Sequence, residues 1–565
     1  MVPQGPRPLP RGDARRSQGL RREASRRRSP SRARCGTGAE REMKILPIVA
    51  GALVFAACSG SQTRPDGVPL GSQPDAGVAA PVVKEPTPAP PASAASRAPE
   101  PQKPSEPPLM PDQPFRNGRP EPVQRAAKFD APVPIERKLK NGARVLIVPN
   151  HSVPLVAVEV RLLHGVDAVP IAKAGLAELV ADAVLEGTRK RSAEQLARDI
   201  EDIAAHLTSS AGNESTAVHL NCLSERLPKG LDILADVVTQ PAFRPADVER
   251  VRTLRLARLL QKQANIGQLA ADEARRLMYG ADHPLGQPDS GTPAIVQKIQ
   301  RREIAAQHKA WWVPNDSVIA VAGDVDPDEA MKLLERAFAS WRPRPMPELE
   351  LPPPRPAGKR FISLVEKPSA TQSQVWVVGP LFPARDPDAV PLEIANNVLG
   401  GVFTSRLNLN LREKHGYSYG VFSALQLGRL SGNFRAQGGI IAKSTVPAAA
   451  EYEKEIAAFA SGDMTEDELR RARDTYIRTL PSQLETSDAV ASAMANLVVL
   501  GRPLDYYKTL PDRAQALTRE QVVDVVKKWV KPESWPVVIV GPVGDARAEL
   551  EKLGFGPVEK AAVPP

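Results

Sequence analysis

The sequence predicts an α+β protein of two homologous domains, each an antiparallel sheet with helices packed mainly on one face. Three observations lead there. The stretch from Arg302, REIAAQHKAWWVPNDSVIAVAGDVDPDEAMKLLERAF, parallels the one from Arg519, REQVVDVVKKWVKPESWPVVIVGPVGDARAELEKLGF. Trp312 answers to Trp529, Pro314 to Pro532 after a small shift, and Gly323 to Gly541, at a period of about 217 residues that is far too long for a solenoid. Residues 346–358, MPELELPPPRPAG, form a proline-rich joint between the copies. Each half opens with strands, runs through helices and returns to a strand, the order of a sheet carrying helices on one side.

Folded sequence is expected from residue 131, with domains at 131–345 and 359–556. Asn141-Gly142 is a turn signal, followed by a strand through ARVLIVPN and a second through PLVAVEVRLLHG. Ser192 and Gln195 read as a capping box opening a helix with Leu196, Ile200, Ile203 and Leu207 on one face. Alternation over residues 208–223 gives antiparallel strands and puts Cys222 in a core. Long helical patterns then run from about 245 to 263 and from 266 to 278.

Three segments of different character precede these domains. Residues 1–42 hold twelve Arg against four acidic residues, most of the chain's +10 charge. The other 523 residues hold 63 Lys and Arg against 61 Asp and Glu; this near-neutral body, in a chain with 4% aromatic residues overall, disfavours a nucleic-acid surface. From Met43, MKILPIVAGALVFAAC places an apolar run at 45–57, too short to span a bilayer, before small residues and Cys58. That is a lipoprotein signal peptide, with lipid expected on Cys58, although Phe55 stands where Leu is usual. Met43 is then the expected start and residues 1–42 an untranslated upstream stretch; a basic leader or nucleic-acid-binding tail is the rival reading. Residues 59–130 are too poor in apolar side chains to offset their ordering entropy and read as a disordered Pro/Ala-rich tether. Together these place the protein in the periplasm, held by lipid, with Ser59 favouring the outer membrane.

The most informative segment is residues 399–421, LGGVFTSRLNLNLREKHGYSYGV: a glycine turn, a short helix, a turn at Gly416 and the start of a strand. Arg412 and Tyr419 flank that second turn, where a helix end and a strand start fold back on each other. The segment closely resembles the substrate-binding motif of the pitrilysin/insulinase family of zinc peptidases, which includes two-subunit processing peptidases. The resemblance covers about residues 130–556 and extends to His283-Pro284-Leu285-Gly286 and to AFRPADVERVR from Ala242. It implies that Arg412 and Tyr419 hold substrate opposite a zinc ion.

The same resemblance locates the zinc motif, H-x-x-E-H on a helix, at residues 175–188, GLAELVADAVLEGT. Glu178 and Asp182 stand where the two His belong, and Ala181 where the general-base Glu belongs. The third ligand, counted 77 residues beyond the second His, lands near Leu259, with no acidic residue between Glu249 and Asp272. Glu178 and Asp182 share a helix face, read here as a solvated or cavity-facing edge; two carboxylates do not make a catalytic zinc site.

The seven His, at 151, 164, 206, 219, 283, 308 and 415, form no metal-ligand spacing. His164 reads as a turn or core-edge residue and His415 as a loop residue. Gly416-Tyr417-Ser418-Tyr419-Gly420 fits G-x-S-x-G, but it follows a helix and opens a strand, the reverse of a hydrolase elbow. Two functions follow. The first is an inactive, substrate-binding subunit of an exported metallopeptidase heterodimer, whose partner carries H-x-x-E-H and the zinc. The second is a binding or structural scaffold that keeps the fold without proteolysis.

Overall fold

The computed structural model describes residues 129–561. Residues 1–42, the signal segment 43–58 with Cys58, and the tether up to residue 128 lie outside that range. The first half runs β1 (Ile135–Lys138), β2 (Arg144–Pro149), β3 (Leu155–Leu162), α1 (Leu176–Ala183), α2 (Ala193–Glu201), β4 (His206–Ala211), β5 (Thr216–Leu223), α3 (Leu227–Thr239), α4 (Pro245–Ala264), α5 (Ile266–Tyr279), α6 (Pro293–Val296), α7 (Arg301–Trp311), β6 (Ser317–Gly323) and α8 (Pro327–Ala337). The second runs β7 (Ile362–Glu366), β8 (Gln372–Leu381), α9 (Ala389–Leu399), α10 (Arg406–Asn408) with a π-turn at Leu409–Lys414, β9 (Ser418–Leu427), β10 (Gly432–Ile441) and α11 (Thr445–Ala460). It continues through α12 (Glu466–Arg478), α13 (Leu480–Gln483), α14 (Ser487–Val499), α15 (Tyr506–Gln515), α16 (Arg519–Trp529), β11 (Val537–Gly541), α17 (Arg547–Glu551) and β12 (Val558–Lys560).

These strands form two six-stranded sheets, ordered β1-β2-β6-β3-β5-β4 and β12-β7-β11-β8-β10-β9. The inner order repeats, as the sequence repeat requires. Each sheet is mixed and mostly antiparallel: β2–β6 and β7–β11 are parallel, because the returning strand arrives after a long helical crossing, and β12 adds to β7 in parallel as well. The repeat's shared glycines end β6 and β11 where a neighbouring strand comes close. A Cβ on Gly323 would lie 2.1 Å from the Leu155 carbonyl oxygen, and one on Gly541 2.4 Å from Ser373 Oγ. Strand β12 carries the second sheet beyond the expected boundary at 556.

One helix differs from its sequence pattern. The Ser192 hydroxyl does cap α2 by accepting from the Gln195 N–H, but the helix ends at Glu201. Ala204 takes a positive φ of 49°, and Leu207 lies in β4. The apolar spacing spans a helix–strand junction, since both elements face one core.

The halves do not keep their helices to themselves. Helix α5 of the first packs on β8 and β11 of the second, while α14 packs on β3 and β6 of the first. Polar contacts cross the seam. Asp488 on α14 accepts from His219 Nε2 at 2.5 Å and Asn221 Nδ2 at 2.6 Å, and Arg161 donates to Ser492 Oγ at 3.2 Å. Arg161 also pairs with buried Glu159, which faces His219 Nδ1 at 3.4 Å. Burial opposes the His219 charge, yet Asp488 and Glu159 outweigh it and push its pKa up to about 9.

Candidate functional site

Helix α1 begins where only glycine fits. Gly175 has φ 92°, and a Cβ there would sit 2.6 Å from the Ser290 carbonyl oxygen. At the other end of the segment Gly187 has φ 99°, and buried Thr188 donates to Asp236 Oδ2 at 3.0 Å. These backbone constraints hold the GLAELVADAVLEGT frame whatever occupies its middle. Between them Leu176, Leu179, Val180 and Ala183 face the core, with Ala181 buried beside them.

Glu178 and Asp182 do not form a solvated edge. Both carboxylates are ion-paired to the guanidinium of Arg255 on α4, Glu178 Oε2 to Nη1 and Asp182 Oδ2 to Nη2. Nη2 also donates to the Glu178 carbonyl oxygen at 3.3 Å. Arg258 stands 3.7 Å from Asp182. Arg255 is 8% exposed, and it lies 77 residues after Glu178. Counting the third-ligand spacing from the second motif position instead gives Leu259, which is buried on α4. Physically, two carboxylates one turn apart require a cation once they are enclosed, and a guanidinium fork meets both.

The pair is embedded in further charge. Lys262 Nζ donates to Asp272 at 2.9 Å and to Ser290 Oγ at 3.0 Å, and it lies 3.6 Å from Asp289. Arg275 reaches Asp289 at 3.1 Å. Burial and the charge of Asp289 push the Glu178 pKa up against the pull of Arg255. Burial works against Arg255 too, but Glu178 and Asp182 outweigh it and raise its pKa. The residues present do not fit a zinc ion: the carboxylates are taken, Ala181 has no base to offer, and Leu259 has no donor. Among the described residues, no group of three or more His, Cys, Asp or Glu converges as a ligand set.

The second candidate pair is brought together. Gly416, at φ 65°, turns the chain from the π-turn into β9, and Arg412 Nη1 donates to the Tyr419 backbone oxygen at 3.1 Å. The guanidinium also lies 4.6 Å over the Phe403 ring and 3.1 Å from Glu413. The Tyr419 phenol is 88% exposed. Further along β9, Val421 N–H donates to Asn408 Oδ1 at 3.2 Å and Ser423 N–H to the Gly400 oxygen at 2.9 Å. Asn396 Nδ2 donates to the Ser423 oxygen at 3.0 Å. Four backbone groups on this edge, the Tyr419 oxygen, the Val421 N–H and both groups of Ser423, are therefore bonded within the chain.

The remaining motif residues have structural partners. His415 stacks on Tyr417 and faces Glu451 at 3.8 Å, not Arg412. Ser418 Oγ is held 2.7 Å from the Gly439 oxygen at the strand start. His164 sits between Asp167 and Asp316 against the edge of Trp311. Cys222 is buried, which pushes its thiol pKa up to about 11.

Two family models match this architecture, one described as Insulinase (Peptidase family M16) over residues 144–288 and one as Peptidase M16 inactive domain over 298–476. The chain belongs to the insulinase family of peptidases. Its similarity extends to a protein named non-peptidase homolog YmxG from Helicobacter pylori, 26% identical over 395 residues, which cover 68% of this chain and 89% of that one. An uncharacterized zinc protease of Mycobacterium leprae is 27% identical over 326 residues, 57% of this chain and 72% of its own. Among solved structures, a peptidase M16 inactive domain from Pseudomonas fluorescens superposes with a TM-score of 0.67 at 23% identity, covering 72% of this chain and 98% of that one. A chain of complex III2 from Candida albicans gives 0.63 at 15%, covering 73% and 96%. These structural likenesses establish the insulinase-family fold. At the positions that the resemblance assigns to the two zinc-binding His, this chain has Glu178 and Asp182 bridged by Arg255.

Proposed function

We propose that this chain is the non-catalytic, substrate-binding subunit of an exported zinc metallopeptidase, working with a partner that carries H-x-x-E-H. The observation that carries the reading is a contrast between two sites. Arg255 fills the space between Glu178 and Asp182, where the resemblance would put zinc, while Arg412 is bonded to the backbone of Tyr419, whose side chain is exposed. The naming of the Helicobacter pylori relative as a non-peptidase homolog supports the same division. The partner would supply zinc, activated water and the general base. Tyr419 would donate to the scissile carbonyl as it gains charge, a contact whose loss costs about 3 kcal/mol in the transition state. A lipid on Cys58 and the tether would hold the pair at the outer membrane, facing the periplasm.

The scaffold reading also has an observation in its favour. Arg412 already donates to the Tyr419 carbonyl and stacks on Phe403, so its charge is in part structural. Reconstitution with the partner separates the two. Tyr419→Phe is expected to lower kcat far more than it changes KM, because its hydrogen bond strengthens only as the oxyanion forms. Arg412→Ala is expected to raise KM. Unchanged reconstituted activity in both variants would leave the scaffold reading.

A further inference from the structure

Tyr419 stands near the start of an edge strand, and three alternate residues show how that edge is held. The Tyr419 oxygen accepts from Arg412 at 3.1 Å, Val421 N–H donates to Asn408 Oδ1 at 3.2 Å, and Ser423 N–H donates to the Gly400 oxygen at 2.9 Å. Backbone groups of alternate residues point to the same side of a strand, so these are successive rungs along β9. Just before them, Tyr417 N–H closes the turn onto the Leu411 oxygen at 2.8 Å. Two of the three rungs are made by side chains, and these differ in enclosure. The Arg412 side chain is 37% exposed, whereas Asn408 is fully buried.

An amide in that place needs a reason. Leu407 before it, Leu411 after it and Val421 across from it are all buried, and a polar group enclosed among apolar side chains destabilises unless it is bonded. Both ends of Asn408 are bonded. Nδ2 donates to the Phe403 oxygen at 2.7 Å, while Oδ1 accepts from Val421. Each partner belongs to the candidate clamp. The Phe403 ring lies 4.6 Å from the Arg412 guanidinium, Val421 is two residues beyond Tyr419, and Arg412 follows Asn408 by four residues. The contacts close a ring from Asn408 through Phe403, Arg412, Tyr419 and Val421 back to Asn408. Within it the Arg412 rung is the exposed one. On either side of that rung the chain is held without Arg412, by Leu411 at Tyr417 and by Asn408 at Val421.

We propose that Asn408 is the positioning residue of this clamp: it fixes β9 and the Phe403 turn, so that Arg412 can exchange the Tyr419 carbonyl for substrate while Tyr419 keeps its place. This rests on the reading of Arg412 and Tyr419 as the substrate-binding pair, and it reconciles the bond that Arg412 makes within the chain with a role in binding. Two measurements test it. In the isolated chain, Asn408→Ala should speed hydrogen exchange of the Val421 amide about ten-fold, the size of one lost buried hydrogen bond, with the Ser423 amide unchanged. With the H-x-x-E-H partner, Asn408→Ala should lower kcat about ten-fold, yet less than about two-fold in a Tyr419→Phe background, where no phenol is left to position. A residue that merely supports the fold would lower kcat equally in both backgrounds. If Asn408→Ala does not fold, Asn408→Asp takes its place, with the same shape and an acceptor for Val421 but no donor for Phe403. It should raise KM, and that rise should vanish in an Arg412→Ala background. Unchanged Val421 exchange, or equal effects in both backgrounds, overturns the role of Asn408. If Tyr419→Phe and Arg412→Ala both leave activity intact, the clamp reading itself falls, and a faster Val421 amide then reports a fold contact alone.

Discussion

Replacing Arg255 with Met keeps most of the side-chain volume and removes the charge between α1 and α4. Glu178 and Asp182, whose side chains are 16% and 26% exposed, then keep their negative charges without the guanidinium. Stranding a buried charge in this way costs about 3–5 kcal/mol, and the lower end applies because Asp182 is a quarter exposed and Arg258 remains 3.7 Å away. For a body of roughly 430 residues, the unfolding entropy near the midpoint is on the order of 0.9 kcal/mol per degree, so about 3 kcal/mol lowers Tm by about 3 °C. The deficit must depend on pH. The folded Glu178 pKa is already raised by burial and by Asp289, and losing Arg255 raises it further. A raised carboxylate destabilises when ionised, so the gap between Arg255→Met and wild type should be widest at neutral pH and shrink as acid protonates the site. Glu178→Gln/Asp182→Asn/Arg255→Met should recover most of the loss. Calorimetry from pH 4.5 to 7.5 reads all three proteins. An Arg255→Met chain with wild-type Tm at pH 7, or with a deficit that does not shrink in acid, would refute the view of Arg255 as the site's resident cation.

The His219 pKa of about 9 exceeds its unfolded value of about 6.5, so its stabilisation is complete below the unfolded value and is lost as pH rises through 9. Wild-type Tm should fall from pH 8 to 10, whereas Asp488→Asn should start lower at pH 7 and change less; parallel curves would remove His219 as the cause. The body from residue 129 should take up no stoichiometric zinc, and metal analysis finding one tightly held ion per chain would overturn the account of Glu178, Ala181 and Asp182. Expressed from Met43, the wild-type chain should show the added mass of lipid and partition with membranes, and Cys58→Ala should do neither; membrane retention of unmodified Cys58→Ala would count against lipidation.

The duplicated fold was legible because its signals are local and periodic. Alternation in β5, the capped start of α2 and the strand-ending Gly323 and Gly541 each follow from short-range geometry. What could not be read was the exchange of α5 and α14 between the halves. A helix facing its own sheet and one facing the neighbouring sheet carry the same amphipathic pattern. The partly buried His219–Asp488 contact spans 269 residues and has no local signature at all.

The candidate sites divide along the same line. Arg412 and Tyr419 are seven residues apart on either side of a turn, so their meeting was deducible, although the bond runs to the Tyr419 backbone and not its phenol. Arg255 lies 77 residues after Glu178, whereas the same spacing from Asp182 reaches Leu259, so the motif's own spacing rule does not point to it. The sign of the missing partner had changed with the sign of the motif. Glu178 and Asp182 stand where the resemblance would put two His, and the enclosed helix face requires a positive charge. Sequence alone did not contain that demand: Glu178 and Asp182 share a helix face opposite Leu179, Val180 and Ala183, a pattern that a solvated polar face would also give. A basic residue from α4 answers the demand without a metal ion. The Gly175 and Gly187 turns kept the helix in register throughout, since their constraints come from backbone contacts. In this chain, then, Gly175 and Gly187 answer to backbone geometry, and the groups between them are a separate matter of charge.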